Sequence, residues 1–178
     1  MKKILFIFLS VTAFLPSVFA RPQSYNQKLE AKINILINQV RIKHGLKPFR
    51  YSKKLAQIAH AYSQDMAARD FTSHYTPEGL SPWDRAKNAG FNIYKKEKGG
   101  IRKGVGENLY QHWTWKESSG GEKFYYVESL DKVAQAAVVS WMNSPEHRDN
   151  ILNPDYTMTG IGVSVSKDKK IRIIQEFF

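Results

Sequence analysis

Three polar residues, far apart along the chain, have side chains that could act together on a ligand or a metal ion. His74 lies in a Ser-His-Tyr-Thr-Pro segment, Glu107 follows a glycine, and His147 lies in a Ser-Pro-Glu-His-Arg segment. Two imidazoles and one carboxylate can hold a divalent ion with open coordination positions, which suits Lewis-acid chemistry or the activation of water. Long stretches of chain separate the three residues, so only the fold could bring them together.

Most other catalytic templates are missing from this sequence. The chain has no cysteine, which excludes disulfides, cysteine zinc sites and a thiol nucleophile. It also has no HExxH zinc motif, no GxSxG nucleophile elbow and no phosphate-binding P-loop. Ser73 and Ser144 are candidate nucleophiles, but Ser144 precedes Pro145 at a predicted helix start. We therefore interpret Ser144 as a helix cap, and not as a partner of His147 in hydrolysis.

Apolar periodicity predicts the elements that must position these side chains. One helix ends before Gly45 and Pro48, a second runs from Ser52 to about Asp70, and a fourth spans roughly 129–143. A short third helix begins at Ser81-Pro82-Trp83-Asp84, which has the pattern of a capping box with proline in the first turn. Residues 159–166 and 171–178 predict two strands joined by a charged turn, and residues 106–110 could enter another. Helices packed on a small sheet indicate a mixed α/β layered domain.

The first 20 residues have the layout of a secretory signal peptide. Met1-Lys2-Lys3 is basic, residues 4–15 are mostly apolar, and Val18-Phe19-Ala20 resembles a cleavage site. We expect cleavage after Ala20, which leaves one domain over residues 21–178 and lowers the formal charge from +11 to +9. The product is expected to be periplasmic or secreted.

Basic residues concentrate in one segment of the predicted mature chain. Residues 92–105 carry five basic residues against one acid. The simplest interpretation is a solvated loop; the functional one is docking to an anionic envelope or membrane surface through Lys95, Lys96, Lys98, Arg102 and Lys103. Nucleic acid is not an expected partner of an exported protein. The aromatic segment 111–127 either packs over the sheet or forms a wall for a sugar ring or acyl chain.

An ordered set of motifs resembles the bacterial branch of the CAP superfamily, also called the SCP domain. That superfamily includes the cysteine-rich secretory, antigen 5 and pathogenesis-related 1 proteins, and this chain is similar to branch members that lack cysteine. The resemblance covers roughly residues 25–178. It rests on Ser73-His74, Gly106-Glu107-Asn108-Leu109, the run from Trp141 to Leu152, and Gly160-Ile161-Gly162-Val163.

The resemblance implies a three-layer α-β-α sandwich with a central cleft. In the family, two histidines and two acidic residues line that cleft, and some members bind zinc or another divalent ion there. The carried-over residues are His74, Glu107 and His147. The second acidic residue follows a helix-4 tryptophan in a W-x-x-E pattern, but here Ser144 stands three places after Trp141. Glu146 is offset by two, so the resemblance implies a three-ligand site or a water-filled polar cleft.

Family resemblance leaves three functional hypotheses open, because no single reaction defines the group. The leading one is an exported protein that binds a lipid, a peptide or an envelope glycan near His74, Glu107 and His147, with Asn108 and Ser144 beside them. A second is a metal-assisted hydrolase with Glu107 as ligand or general base. A third is a secreted factor that interacts through its basic and aromatic loops. Asn108 and Asn150, with Arg148, are expected to hold the frame of the cleft by hydrogen bonds.

Overall fold

The computed structural model describes residues 23–97, 99–117, 121, 123–125 and 128–178. The predicted signal peptide, with its cleavage after Ala20, lies outside the described residues, as do Lys98 and part of the aromatic segment 111–127. The described helices are α1 (Tyr25–Lys43), α2 (Lys53–Arg69), α3 (Pro82–Asn88), α4 (Leu130–Asn143) and α5 (Pro145–Leu152). The strands are β1 (Arg50–Tyr51), β2 (Tyr94–Glu97), β3 (Gly100–Lys103), β4 (Gly106–Trp113), β5 (Trp115–Glu117), β6 (Lys123–Tyr125), β7 (Met158–Val165) and β8 (Lys170–Phe177).

Four strands form the central sheet, in the order β1-β7-β8-β4. Strand β8 pairs antiparallel with both β7 and β4, whereas the two-residue β1 pairs parallel with the start of β7. Strand β4 is therefore an edge strand. The remaining strands form two separate hairpins, β2 with β3 and β5 with β6.

Side chains alternate along β8 and divide the core between the two faces of the sheet. Ile171, Ile173 and Phe177 join the larger core, which α1 and α4 complete on one face. Ile174 lies on the other face and packs against Ala59, Tyr62 and Met66 of α2. Helices thus cover both faces of the sheet, which confirms the predicted three-layer α-β-α sandwich.

Two glycines of β7 allow α2 to approach the sheet closely. A Cβ atom at Gly160 would lie 2.1 Å from the backbone nitrogen of Ala56, and one at Gly162 would lie 2.1 Å from that of His60. These distances are far below van der Waals contact, so only glycine fits. The spacing of the two glycines follows the strand period of two, because both must face the same helix.

Helix starts agree with the sequence prediction at one site and differ at another. Ser81 and Asp84 form a complete capping box at the start of α3, with Pro82 in the first turn. Ser144 also occupies the cap position of α5, but its side chain makes no capping hydrogen bond there. The predicted cap position of Ser144 is therefore confirmed, but its hydroxyl does not supply the capping hydrogen bond. Its position is set by the end of α4, since the Ser144 N–H donates to carbonyl groups of that helix.

Most of the basic segment 92–105, for which a solvated loop was the simplest interpretation, forms a β-hairpin. Strands β2 and β3 pair over four residues each, from Tyr94↔Lys103 to Glu97↔Gly100. Buried Ile93 fixes the base of this hairpin, because its carbonyl accepts from the Gly104 N–H at 2.8 Å. Within the described part of the chain, no helix is long and apolar enough to cross a membrane.

Candidate functional site

A cluster of buried and half-exposed polar side chains lies at the start of β4, on the edge of the sheet. The segment around His74 approaches from the α2 side of the sheet, and α5 approaches from the opposite side. Gly106 permits this convergence, because a Cβ atom there would lie 2.7 Å from the Tyr156 hydroxyl and 3.1 Å from Oδ1 of Asn150. The site is thus built where the two helical layers meet around one strand end.

Glu107 lies at the centre of this cluster, and its carboxylate contacts one imidazole and one guanidinium group. His74 Nδ1 lies 2.7 Å from Oε1, and Nη2 of Arg85 donates to Oε2. The Glu107 side chain is 1% exposed, whereas the His74 side chain is 45% exposed. A carboxylate oxygen accepts, so Nδ1 of His74 carries the proton and the outer nitrogen of the ring is left for a ligand.

Arg85 of α3 is held by more than its ion pair. Its Nη1 donates to the carbonyl oxygens of His74, at 2.9 Å, and Leu80, at 3.2 Å. The guanidinium lies 3.4 Å from the ring centroid of Tyr62, whose hydroxyl donates to the carbonyl of Ser73 at 2.7 Å. Burial raises the pKa of Tyr62 to about 12, so its hydroxyl stays protonated and can donate. Arg85 therefore fixes both the carboxylate and the backbone that carries His74.

Glu176 of β8 places a second carboxyl group beside Glu107. The two residues are register partners on β4 and β8, and Glu176 is completely buried. Its pKa is raised well above the ordinary value, first by burial and then by the Glu107 carboxylate; Arg85 opposes the shift, with Nη2 3.9 Å from Glu176 Oε1. Neither carboxyl oxygen of Glu176 has a hydrogen-bond partner among the described residues, and a buried oxygen without a partner favours the neutral acid over the carboxylate.

His147 lies in the first turns of α5, with its ring centroid 6.4 Å from that of His74. Burial lowers its pKa, as does the neighbouring His74, so His147 is biased towards the neutral form. The amide of Asn108 donates to the His147 carbonyl at 3.0 Å, and Asn150 donates to Oδ1 of Asn108 at 2.9 Å. These bonds tie α5 to β4 and give Asn108 and Asn150 the framing contacts that were expected of them.

The structure thus brings His74, Glu107 and His147 into one neighbourhood, whereas Arg85 and Glu176 were not predicted. The second acidic group of the site comes from β8, and not from the first turn of α5, in which Glu146 lies. A signal for Glu176 exists in the sequence, since Glu176 is an acidic residue of a predicted strand and lies between Ile173-Ile174 and Phe177-Phe178. Arg85 has no comparable signal.

The geometry around Glu107 does not suit a metal ion as it stands. Both carboxylate oxygens are engaged, one by His74 and one by Arg85, and the guanidinium opposes a second cation by its charge. Among the described residues, no group of three or more His, Cys, Asp or Glu is arranged to hold a metal. We therefore derive no chemical step through zinc or another divalent cation, and metal binding by His74, Glu107 and His147 stays a prediction.

Comparison with known proteins agrees with the fold. The model of the CAP family, described as the cysteine-rich secretory protein family, matches residues 35–177. Two curated Bacillus subtilis proteins are similar: the uncharacterized protein YkwD, 34% identical over 133 residues, and the uncharacterized membrane protein YlbC, 30% identical over 134 residues. Each alignment covers 75% of this chain but only 41% and 31% of the respective relative, so the chain spans less than half of their length.

Solved structures show the same fold at lower identity. An extracellular SCP-domain protein from Bacillus anthracis aligns with a TM-score of 0.61 at 24% identity, over 86% of this chain and 41% of that one. An outer surface protein from Borrelia burgdorferi aligns with a TM-score of 0.63 at 17% identity, over 85% and 92% respectively. The family match, the curated relatives and the shared sandwich together show that this chain is a cysteine-free member of the CAP family.

Proposed function

We propose that this protein is an exported CAP-domain protein that binds a neutral polar ligand through His74 and His147. The observation that carries the proposal is the His74–Glu107 hydrogen bond, which fixes a ring that is still 45% exposed. An imidazole with a fixed orientation and an open nitrogen is a ready hydrogen-bonding partner. His147, 6.4 Å away between ring centroids, supplies a second one.

The charges of the site favour a neutral ligand. Arg85 balances the Glu107 carboxylate, and burial raises the pKa of Glu176, which favours its neutral form. His147 is biased towards its neutral form. A site without excess charge does not select a polyanion or a cation, but its imidazoles suit hydroxyl and amide groups. We therefore favour a peptide or an envelope glycan as the ligand of this site.

A lipid would use a different surface. A groove of about 240 Å³ between α1 and α4 is lined by Leu36, Val40, Val138 and Val139, together with Gln39, Lys43 and Gln135. Its apolar walls suit an acyl chain, which the polar cluster around Glu107 does not. Lipid binding in this groove is a second candidate function, and it uses a different part of the surface from the His74–His147 site.

The hydrolase hypothesis has weaker support. A general base needs access to water or substrate, but the Glu107 side chain is 1% exposed and paired with Arg85. His74 with Glu107 has the arrangement of a base and its orienting acid. Within the described residues, however, the hydrogen bonds of His74 reach Glu107 and Arg85 but no hydroxyl nucleophile.

Export is supported by the predicted signal peptide. Two structural relatives are also described as extracellular or outer surface proteins. Amino-terminal sequencing of the protein recovered from the medium or envelope of expressing bacteria tests this part of the proposal. We expect Arg21 as the first residue; an intact Met1 on the recovered protein would contradict cleavage after Ala20.

Ligand binding is tested by histidine NMR with two neutral probes, a soluble N-acetylglucosamine oligosaccharide and an N-acetylated peptide amide without charged side chains. We expect the ring signals of His74 and His147 to shift on titration, and a His74→Ala/His147→Ala variant to bind at least about tenfold more weakly. Exposed His44, at the end of α1, provides the matched control: His44→Ala should bind as wild type. Equal binding by the double variant would place the site elsewhere. If only a fatty-acid probe binds, and Val139→Glu, at an exposed residue of the groove, abolishes that binding, the lipid candidate replaces this one.

A further inference from the structure

The hairpin β2–β3 presents basic and apolar residues on one face. Residues opposite each other in an antiparallel pair share a face, and so do residues two apart on one strand. The pairs Tyr94↔Lys103 and Lys96↔Ile101 therefore lie on the same side of the hairpin. All four are exposed, Tyr94 at 50% and Ile101 at 66%. We call these four residues the hairpin face.

Trp83 of α3 extends the hairpin face. The Lys103 ammonium lies 4.2 Å from the centroid of the Trp83 ring, and that ring also lies beside Gly104, which follows β3. Trp83 is 37% exposed. The surface therefore combines two aromatic rings, one large aliphatic side chain and two lysines.

Lys95 lies on the side of the hairpin opposite to the hairpin face, where it contacts the rest of the domain. Its ammonium donates to the carbonyl of Asp155 and lies 5.9 Å from the centroid of the Phe178 ring. It thus anchors the hairpin to the body of the domain. Lys98 lies outside the described residues, and Arg102 pairs in register with Lys95. Five basic residues were predicted from the sequence to dock on an anionic surface, and two of them, Lys96 and Lys103, lie on the hairpin face.

We propose that the hairpin face docks this protein on an anionic lipid membrane. Lysine side chains are attracted by the negative surface of such a membrane, and their ammonium groups can stay at the headgroup level. Tyrosine and tryptophan are favoured at the same depth, where one end of the ring is apolar and the other is wet. A soluble polyanion would use the lysines alone and leave Tyr94 and Ile101 without a role.

The charge and the topology of the chain support the same occupant. The segment 92–105 has five basic residues against one acid, within a chain of formal charge +11. The hairpin forms a sheet of its own, outside the four-stranded sheet, so the face can meet a flat surface without disturbing the core. This surface is separate from the His74–His147 site, and the proposal does not depend on the ligand of that site.

Vesicle sedimentation with the predicted mature protein, residues 21–178, tests the proposal. We expect tighter binding to phosphatidylcholine vesicles that contain about 30% phosphatidylglycerol than to phosphatidylcholine alone, and weaker binding as salt increases. Lys96→Gln/Lys103→Gln should lower the affinity for these vesicles about fivefold for each lysine, or roughly 25-fold together. The matched control is Lys53→Gln/Lys54→Gln, two exposed lysines in the first turn of α2 with the same change in charge.

The apolar residues distinguish a membrane from a soluble polyanion. Tyr94→Ser/Ile101→Ser should weaken vesicle binding by at least tenfold and leave binding to soluble polyphosphate unchanged. Circular dichroism of each variant verifies that the exposed substitutions preserve the fold. Unchanged vesicle binding by the Tyr94/Ile101 variant would overturn the proposal. So would an equal loss in the Lys53/Lys54 control, or tighter binding to polyphosphate than to anionic vesicles.

Discussion

Glu107 and Glu176 lie opposite each other on β4 and β8, and both carboxyl groups are buried on the same face of the sheet. Two adjacent buried carboxylates would repel each other, so one of them holds a proton. The proton is favoured on Glu176, because burial raises the pKa of its carboxyl group whereas Arg85 pairs with Glu107.

Stability should depend on pH through Glu176. Folding raises its pKa, so the native state holds this proton more tightly than the unfolded chain does. The contribution of Glu176 to the free energy of unfolding therefore falls as pH rises from the ordinary glutamate range towards the raised native value. Glu176→Gln mimics the neutral acid and removes this dependence. Urea unfolding measures the free energy of unfolding of both proteins from about pH 4.5, near the ordinary glutamate pKa, to about pH 8. The free energy of the variant should rise relative to that of wild type as pH increases. A difference in free energy of unfolding between the two proteins that stays constant across this pH range would contradict the prediction.

Removal of the Arg85 guanidinium should be strongly destabilising. Arg85→Ala leaves the Glu107 carboxylate buried without its cation and frees the carbonyls of His74 and Leu80. Loss of one partner of a buried ion pair costs about 3–5 kcal/mol. Denaturant unfolding measures this loss, and Arg85→Met/Glu107→Gln should recover part of it because no unpaired charge remains. If the double variant is as unstable as the sum of its single variants, Arg85 and Glu107 are not energetically coupled.

A methyl group at Gly162 should separate α2 from the sheet. Its Cβ would lie 2.1 Å from the backbone nitrogen of His60, and a helix backbone cannot move aside as a side chain can. We expect Gly162→Ala to cost about 3 kcal/mol or more, at the upper end of overpacking effects. Thermal unfolding measures the loss. Gly99→Ala is the matched control, since a Cβ there meets nothing within 4 Å. A Gly162→Ala protein as stable as this control would show that α2 packs less closely than described.

The hydrogen bonds of Asn108 should determine how firmly α5 holds His147. Asn108→Ala removes the donor to the His147 carbonyl and the acceptor for Asn150, which should cost about 1–3 kcal/mol. Hydrogen exchange should accelerate in α5 more than in α2. Exposed Asn143 at the end of α4 gives the control, Asn143→Ala. Uniform acceleration across all helices would instead indicate a global loss of stability.

Much of the fold could be predicted from the sequence, because its signals are local. The capping box at Ser81 and the apolar periodicity of α1, α2 and α4 depend on neighbours within a few residues. The hairpin of residues 94–103 could not be predicted in this way. Its strands consist largely of lysine, arginine and glycine, which carry little strand preference, and pairing across the turn overrides that composition.

The site was only partly predictable, for a physical reason. His74, Glu107 and His147 belong to residue types that bind ligands and metals, so they attract attention wherever they occur. Arg85 looks like any of the other basic residues until the fold places its guanidinium between Glu107 and Tyr62. Arg85 acquires its structural role because it is buried against Glu107, and burial depends on the tertiary structure and not on the local sequence.

Glu107 and Asn108 are consecutive residues of β4, and their side chains reach opposite layers of the sandwich. Glu107 contacts Arg85 of α3 and His74, whereas Asn108 contacts the α5 backbone beside His147. A partly folded chain with only one helical layer docked would hold one histidine in place and not the other. Any ligand that needs both rings must therefore bind the fully assembled domain alone, and it would raise the free energy of unfolding by RT ln(1 + [L]/Kd).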